Sequence, residues 1–218
     1  MPRVSFSSIS KPLPDRLEEA IDVARQAAKL TGRHGAEGRL LAADTAGEQT
    51  GTMVFTVDFE SIDRYAALIA EVDADKEIQE LRISLTRSTS PIVMLAASLS
   101  TEIPLAGTRT PGRGTVVEVH LMSVSPGRFE AAIGDLSKAA GLLERAGAVN
   151  VQAFQLGFAG MQSGQIGLAA EWTSVKAQAL SGNVWANDPV GLELAGAMMN
   201  GTSSTTLLSS ALYRDIPL

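Results

Sequence analysis

Across residues 115–123 the apolar side chains Val117, Val119 and Leu121 alternate with Glu118, His120 and Met122. That period of two predicts a strand. From Pro126 onward, apolar residues recur at Phe129, Ala132, Ile133, Leu136, Ala140 and Leu143. This is the spacing of one helix face, and proline suits a first turn. Gly147 supplies the stop. Residues 149–158 and 165–173 read as a hairpin across a loop holding Gly160 and Gly164. Ser174 is placed to cap the next helix. Ala186-Asn187-Asp188-Pro189 predicts that this helix breaks and restarts, with Asp188 as cap and Pro189 in the first turn. Asn200-Gly201 ends it, and 205–214 is the last strand. The order β-α-β-β-α-β is the split βαβ motif, an antiparallel sheet with both helices on one face.

The same pattern occurs earlier in the chain. Residues 14–36 match 126–148 at an offset of 112, with 11 of 23 positions identical, among them Pro14, Glu18, Ile21, Leu30 and Gly35. After one inserted residue the match continues through Gly51 and Gly164, Ser61 and Ser174, and Asp75 and Asp188. It ends with Ile103-Pro104-Leu105 against Ile216-Pro217-Leu218. A repeat of this length with a single gap predicts two homologous halves, 1–105 and 115–218. The stretch between them, 106–114, has three glycines, one proline and no apolar periodicity. It lacks the Lys-Ser/Thr of a phosphate loop and no helix follows it, so it reads as a linker.

A sheet with helices on one face leaves its other face to be covered. Two such sheets in one chain can cover each other, face to face, as a barrel. In topology and repeat, the whole chain resembles the dimeric α+β barrel superfamily in its fused two-repeat form. That superfamily includes antibiotic-biosynthesis monooxygenases, muconolactone isomerases, chlorite dismutases, dye-decolourising peroxidases and stress-responsive barrel proteins. The resemblance implies an α+β fold of two tandem ferredoxin-like repeats, and it carries no catalytic motif. Haem-binding members need an axial histidine on a later helix, whereas His34 falls at a helix end and His120 on a strand, so no haem and no other cofactor is expected. Cofactor-free monooxygenases line their cavities with polar and aromatic side chains; Asn183, Trp185 and Tyr213 are of those types.

Composition narrows the chemistry. The chain of 218 residues has no cysteine, which excludes disulfides, thiolate catalysis and cysteine-based metal sites. Two histidines leave little for a histidine metal site, and no metal is expected. A net charge of −6 argues against nucleic acid as a partner. No apolar run approaches the ~18 residues of a membrane span, and the first ten residues lack a signal-peptide core, so a cytoplasmic protein without a membrane partner is expected. Residues 1–105 hold 11 basic and 16 acidic side chains, and residues 106–218 hold 7 and 8 with six of the ten aromatics. Low charge with more aromatics suits a lined cavity or an oligomer interface, and homo-oligomerisation is expected.

Strand periodicity selects the candidate site. Ile166, Leu168, Ala170 and Trp172 align with Met53, Phe55, Val57 and Phe59, and this apolar face is expected to pack on the helices. Gln165, Gly167, Ala169 and Glu171 then look into the barrel. The same logic sends Val117, Val119 and Leu121 to the helices and turns Glu118, His120 and Met122 inward. Glu118 and Glu171 become near neighbours around His120, a grouping suited to acid–base chemistry. Phe6, Ser8 and Asp58 occupy the equivalent positions of the first half. Trp185, Tyr213, Asn183 and Gln165 are candidates to line the ligand. The plainer alternatives are a solvated Glu–His pair and aromatics that belong to core or interface. His34 reads as a helix-end residue and the acidic run 71–80 as a solvated helix turn. No dinucleotide fingerprint, nucleophile elbow or zincin motif is present.

Two functions are open at this point. One is a cofactor-independent enzyme, monooxygenase- or isomerase-like, acting on a small apolar or aromatic metabolite through His120 or Glu118. The other is a non-catalytic ligand-binding or oligomeric interaction protein.

Overall fold

Val4–Pro12 (β1) turns at Asp15 into the helix Leu17–Gly32 (α1), and the chain returns as the hairpin Gly38–Thr45 (β2) and Met53–Phe59 (β3). The helices Ile62–Ala74 (α2) and Lys76–Leu85 (α3) then lead to Ile92–Ile103 (β4). The same order follows as Val116–Val124 (β5), Phe129–Arg145 (α4), Asn150–Phe158 (β6), Ile166–Trp172 (β7), Val175–Asn187 (α5), Pro189–Met199 (α6) and Thr205–Ile216 (β8). This computed structural model describes residues 2–105 and 113–218; residues 106–112 of the expected linker lie outside them.

Local chemistry sets the element ends. Ser61 and Ser174 each accept a backbone N–H of the first turn they cap, from Arg64 and Ala177. Asp75 and Asp188 cap the restarted helices α3 and α6, accepting from Ile78 and Val190. Gly35 and Gly147 stop α1 and α4 at φ +75° and +100°, a region that costs glycine little. Helix α4 begins at Phe129, not at Pro126. Gly127, at φ +73°, first turns the chain and leaves Arg128 as the N-cap. Asp15 takes the same left-handed turn before α1, at φ 62°.

The eight strands close into one antiparallel barrel in the order β1-β3-β2-β8-β5-β7-β6-β4. Each half contributes four strands in the order fourth, first, third, second. The open edges meet crosswise, β2 on β8 and β4 on β6. Closure satisfies edges that an isolated four-stranded sheet would leave open. The helices lie outside. Ala132, Leu136, Ala139, Ala140 and Leu143 of α4 form the second-half core with Val151, Ile166, Leu168 and the fully buried Trp172. In the first half, Leu30, Val57, Phe59, Leu68, Val72 and Ile78 pack in the same way.

Register fixes which side chains look where. β5 and β7 pair Val117 with Glu171, Val119 with Ala169 and Leu121 with Gly167. Directly opposed residues of a ladder share a face. Ile166, Leu168, Ala170 and Trp172 lie on the helix side, as their apolar pattern predicts. Val117, Val119 and Leu121 therefore line the lumen with Glu171. Glu118, His120 and Met122 face the helices, the reverse of the orientation expected from the β5 sequence. The reason is physical: the lumen wall of this half is itself apolar, so hydrophobicity on β5 does not distinguish lumen from helix layer.

A candidate active site under the helices of the second half

β5 directs Glu118, His120 and Met122 into a cavity of about 380 Å³ between the sheet and helices α4, α5 and α6. Space arises because α4 presents Ala132 and Ala139 there, and because the break at Asp188 turns α6 back over the sheet. At the break, a Cβ on Gly191 would come within 2.3 Å of the Trp185 carbonyl oxygen. Only glycine allows this approach, which seats Trp185 at the cavity wall. Leu136, Leu168 and Leu194 complete a mostly apolar lining.

The polar groups within it are few and directed. His120 Nε2 lies 3.1 Å from Glu118 Oε1, and His120 Nδ1 lies 2.8 Å from Ser210 Oγ on β8. With Glu118 ionised, Nε2–H donates to the carboxylate, and Nδ1 is left to accept from the serine hydroxyl. Burial pushes the Glu118 carboxyl up. The hydrogen bond from His120, the charge its ring carries when protonated, and donor dipoles from Gln178 and Trp172 together outweigh it and hold the group below the ordinary carboxylate range. Glu118 Oε2 and Trp172 Nε1 are buried without a hydrogen-bond partner among the described residues. The indole N–H favours the anion from nearby without forming a full bond to it. An orphan acceptor and an orphan donor thus sit together beside an apolar cavity, where unmet polar groups are costly.

The other candidates lie elsewhere. Glu171 is at one end of the barrel lumen, where Oε1 accepts from Asn150 Nδ2 at 3.0 Å and Oε2 from the Gly114 backbone N–H at 2.8 Å. Arg39 of β2 pairs with it at 3.0 Å and with Asp215 of β8 at 3.2 Å. Both its oxygens have partners, with Arg39 joining it to the other half, and it lies on the opposite sheet face from Glu118. Tyr213 also faces the lumen, packed with Leu41, Ala43 and Val117, and burial raises its phenol. Asn183 is exposed on α5, its carbonyl accepting from Asn187 Nδ2, and Gln165 is half-buried at the hairpin. Neither lines the cavity. The structure thus brings together Glu118, His120 and Trp185 and separates them from Glu171, Tyr213, Asn183 and Gln165. Nothing in the local sequence marks Ser210 and Gln178, because only cross-strand register brings Ser210 to His120 and only helix phase brings Gln178 to Glu118. The orphan indole of Trp172 is unmarked as well, since an apolar strand face carries no sign of an unmet N–H. His34, at the end of α1, lies 3.3 Å from Glu71 and 3.1 Å from Asp75, outside any such cavity.

Among the described residues no cluster of three or more His, Asp or Glu side chains could hold a metal ion. Haem does not fit the residues present. His120, the imidazole lining the cavity, has both nitrogens engaged, and the charged lining groups Glu118 and Asp135 would oppose propionates. No described helix is long and apolar enough to cross a membrane.

The architecture is that of a dimeric α+β barrel folded from one chain. Among solved structures, the chain is similar to an anthrone oxidase-like protein at TM-score 0.64 and 12% identity, covering 99% of this chain and 92% of that one. It is similar to a candidate monooxygenase from Fusobacterium nucleatum at TM-score 0.62 and 8% identity, over 99% and 93% of the two chains. A chlorite dismutase variant from Candidatus Nitrospira defluvii matches at TM-score 0.54 and 6% identity, over 99% and 91%. At these identities the likeness is one of fold. No family model and no curated protein matches the chain.

Proposed function

We propose that the cavity over β5 binds a small, largely apolar aromatic metabolite with an acidic C–H or O–H, and that Glu118 takes its proton. The observation that carries this reading is the orphaned, ionised Oε2 of Glu118 beside the orphaned Trp172 N–H. In the step, Oε2 accepts the proton and the bonding pair stays on the substrate as an enolate or phenolate. Trp172 Nε1–H, buried behind the cavity wall, favours the carboxylate as an anion. His120 is a positioning residue, holding Oε1 and leaving Oε2 without a partner beside the cavity. Returning the proton to another carbon gives an isomerisation. With dioxygen as co-substrate, the carbanion forms a C–O bond, the peroxide anion takes the proton back from Glu118, and loss of the remaining C–H proton with the outer hydroxide as water leaves a ketone. The names of the anthrone oxidase-like and monooxygenase neighbours support the second outcome, and fold by itself supports neither. The absence of cysteine suits a cytoplasmic setting, and the weakly charged second half suits self-association.

A binding protein without chemistry is the second reading. It is favoured by the depressed pKa of Glu118, which makes the carboxylate a weak base, and by an imidazole with both nitrogens satisfied. Anthrone is the test compound for both. Quenching of tryptophan emission reads binding, and oxygen uptake with product absorbance reads turnover. Glu118→Gln is expected to lower kcat/KM by ~10²–10⁴-fold. Binding without turnover supports the second reading, and an absence of both overturns the two together.

A further inference from the structure

We propose that α6 and the adjoining free half of β8 form the surface on which a second copy of this chain docks. Helix α6 runs Pro-Val-Gly-Leu-Glu-Leu-Ala-Gly-Ala-Met-Met. Its one charge, Glu193, is paired with Lys138 at 2.7 Å. A helix apolar all round belongs in an interior, yet Gly191 is its only buried residue. Leu192 is 58% and Met199 83% exposed. The apolar surface continues onto β8 at Leu207 and Leu208, also exposed. Over residues 205–211, β8 pairs with β5 alone, because β2 reaches only Leu212 and beyond. That edge carries open backbone donors and acceptors, which another strand can satisfy.

The first half provides an internal comparison. Helix α3 holds the equivalent place, but it carries Lys76, Glu77, Glu80 and Arg82, with Arg82 on Asp73 at 2.6 Å and Arg33 on Glu77 at 3.1 Å. The fold therefore does not require an apolar, uncovered helix at this position. Charge indicates the partner. Residues 1–105 have five more acidic than basic side chains, and residues 106–218 only one. Two copies meeting through their second halves bring near-neutral surfaces together and keep the acidic halves apart. A strand edge can pair antiparallel with its own copy about a twofold axis, so the contact closes at two. Met198 and Leu207 line the cavity and belong to this face, so the second copy covers the cavity mouth. The inference stands whatever chemistry the cavity performs.

Sedimentation velocity of the full chain tests it, with Met199→Glu/Leu208→Glu as the interface variant. Neither residue lines the cavity. The equivalent exposed edge of β4 is tested separately by Leu95→Glu. The expected wild-type mass is twice the 22.8 kDa chain. M199E/L208E is expected to halve it while the chain keeps a cooperative melting transition at a somewhat lower temperature, and L95E to leave it unaltered. Where M199E/L208E shows no melting transition, Leu192→Glu alone is the variant read, with the same halving expected. A wild-type protein that stays at 22.8 kDa at all concentrations overturns the proposal. So does a folded interface variant of wild-type mass, or a loss of mass in L95E.

Discussion

Glu118 and Glu171 stand on opposite faces of one antiparallel strand pair. β5 and β7 place Glu171 opposite Val117 in the barrel lumen and Glu118 opposite Ala170 under the helices. A half-buried and a buried carboxylate on one sheet thus have separate roles. Glu171 accepts from Asn150 and the Gly114 backbone on its own side and pairs with Arg39 across the seam. Glu118 keeps one oxygen buried without a partner beside an apolar cavity.

Acidification should remove what the Glu118 environment contributes. Its folded pKa is depressed, because the His120 hydrogen bond and charge with the Gln178 and Trp172 dipoles outweigh the burial that pushes it up. The linked stability is therefore present above the unfolded carboxylate value near about 4.3, and is lost as pH falls through the lower folded value. The gap in melting temperature between wild type and Glu118→Gln should be widest near neutrality and narrow below that point. A gap that widens on acidification would contradict this assignment.

Removing the imidazole reverses the balance at Glu118. In His120→Ala, burial acts with weaker opposition and the carboxyl rises. The acid limb of the pH profile for anthrone binding should move to higher pH. A profile that keeps its midpoint while affinity falls would mean that His120 only fills space.

The seam depends on a buried charge cluster. Arg39→Ala leaves Glu171 in a site only 9% exposed at its side chain, and should cost about 3–5 kcal/mol. Replacing both partners, as in Arg39→Met/Glu171→Met, should recover most of that loss. Urea midpoints of the single and double variants decide it; a double variant no better than R39A would show that the ion pair is not the tie.

Gly191→Ala inserts a Cβ against the Trp185 backbone. It should destabilise the chain by about 1–3 kcal/mol and alter tryptophan emission as α6 moves off α5. Gly134→Ala on α4, where a Cβ meets nothing within 4 Å, should instead stabilise by about 0.5–1 kcal/mol. Equal effects at the two sites would deny the close crossing its role.

Local rules sufficed for most elements. Ser61, Ser174, Asp75 and Asp188 cap the helices that their positions predict, because a cap is a bond between a side chain and an amide two or three residues on. The repeated order of elements and the uncovered sheet faces lead to a closed barrel by the same local logic. Helix α4 starts at Phe129 and not at Pro126, because the left-handed turn at Gly127 that delays it leaves no mark in the apolar periodicity.

What the sequence by itself determined is periodicity: which side chains of a strand share a face, and where each helix begins and ends. Alternation is symmetric between the two faces, so it could set Glu118, His120 and Met122 apart from Val117, Val119 and Leu121 but could not say which set faces the helices. Pairing with β7 decided that, since opposed residues must share a face. Tertiary structure likewise brought Ser210 and Gln178 to the Glu–His pair and committed Glu171 to Arg39, a residue 132 positions away in the chain. A carboxylate acts as anchor or as acceptor according to how many donors reach it, and that number is set by packing.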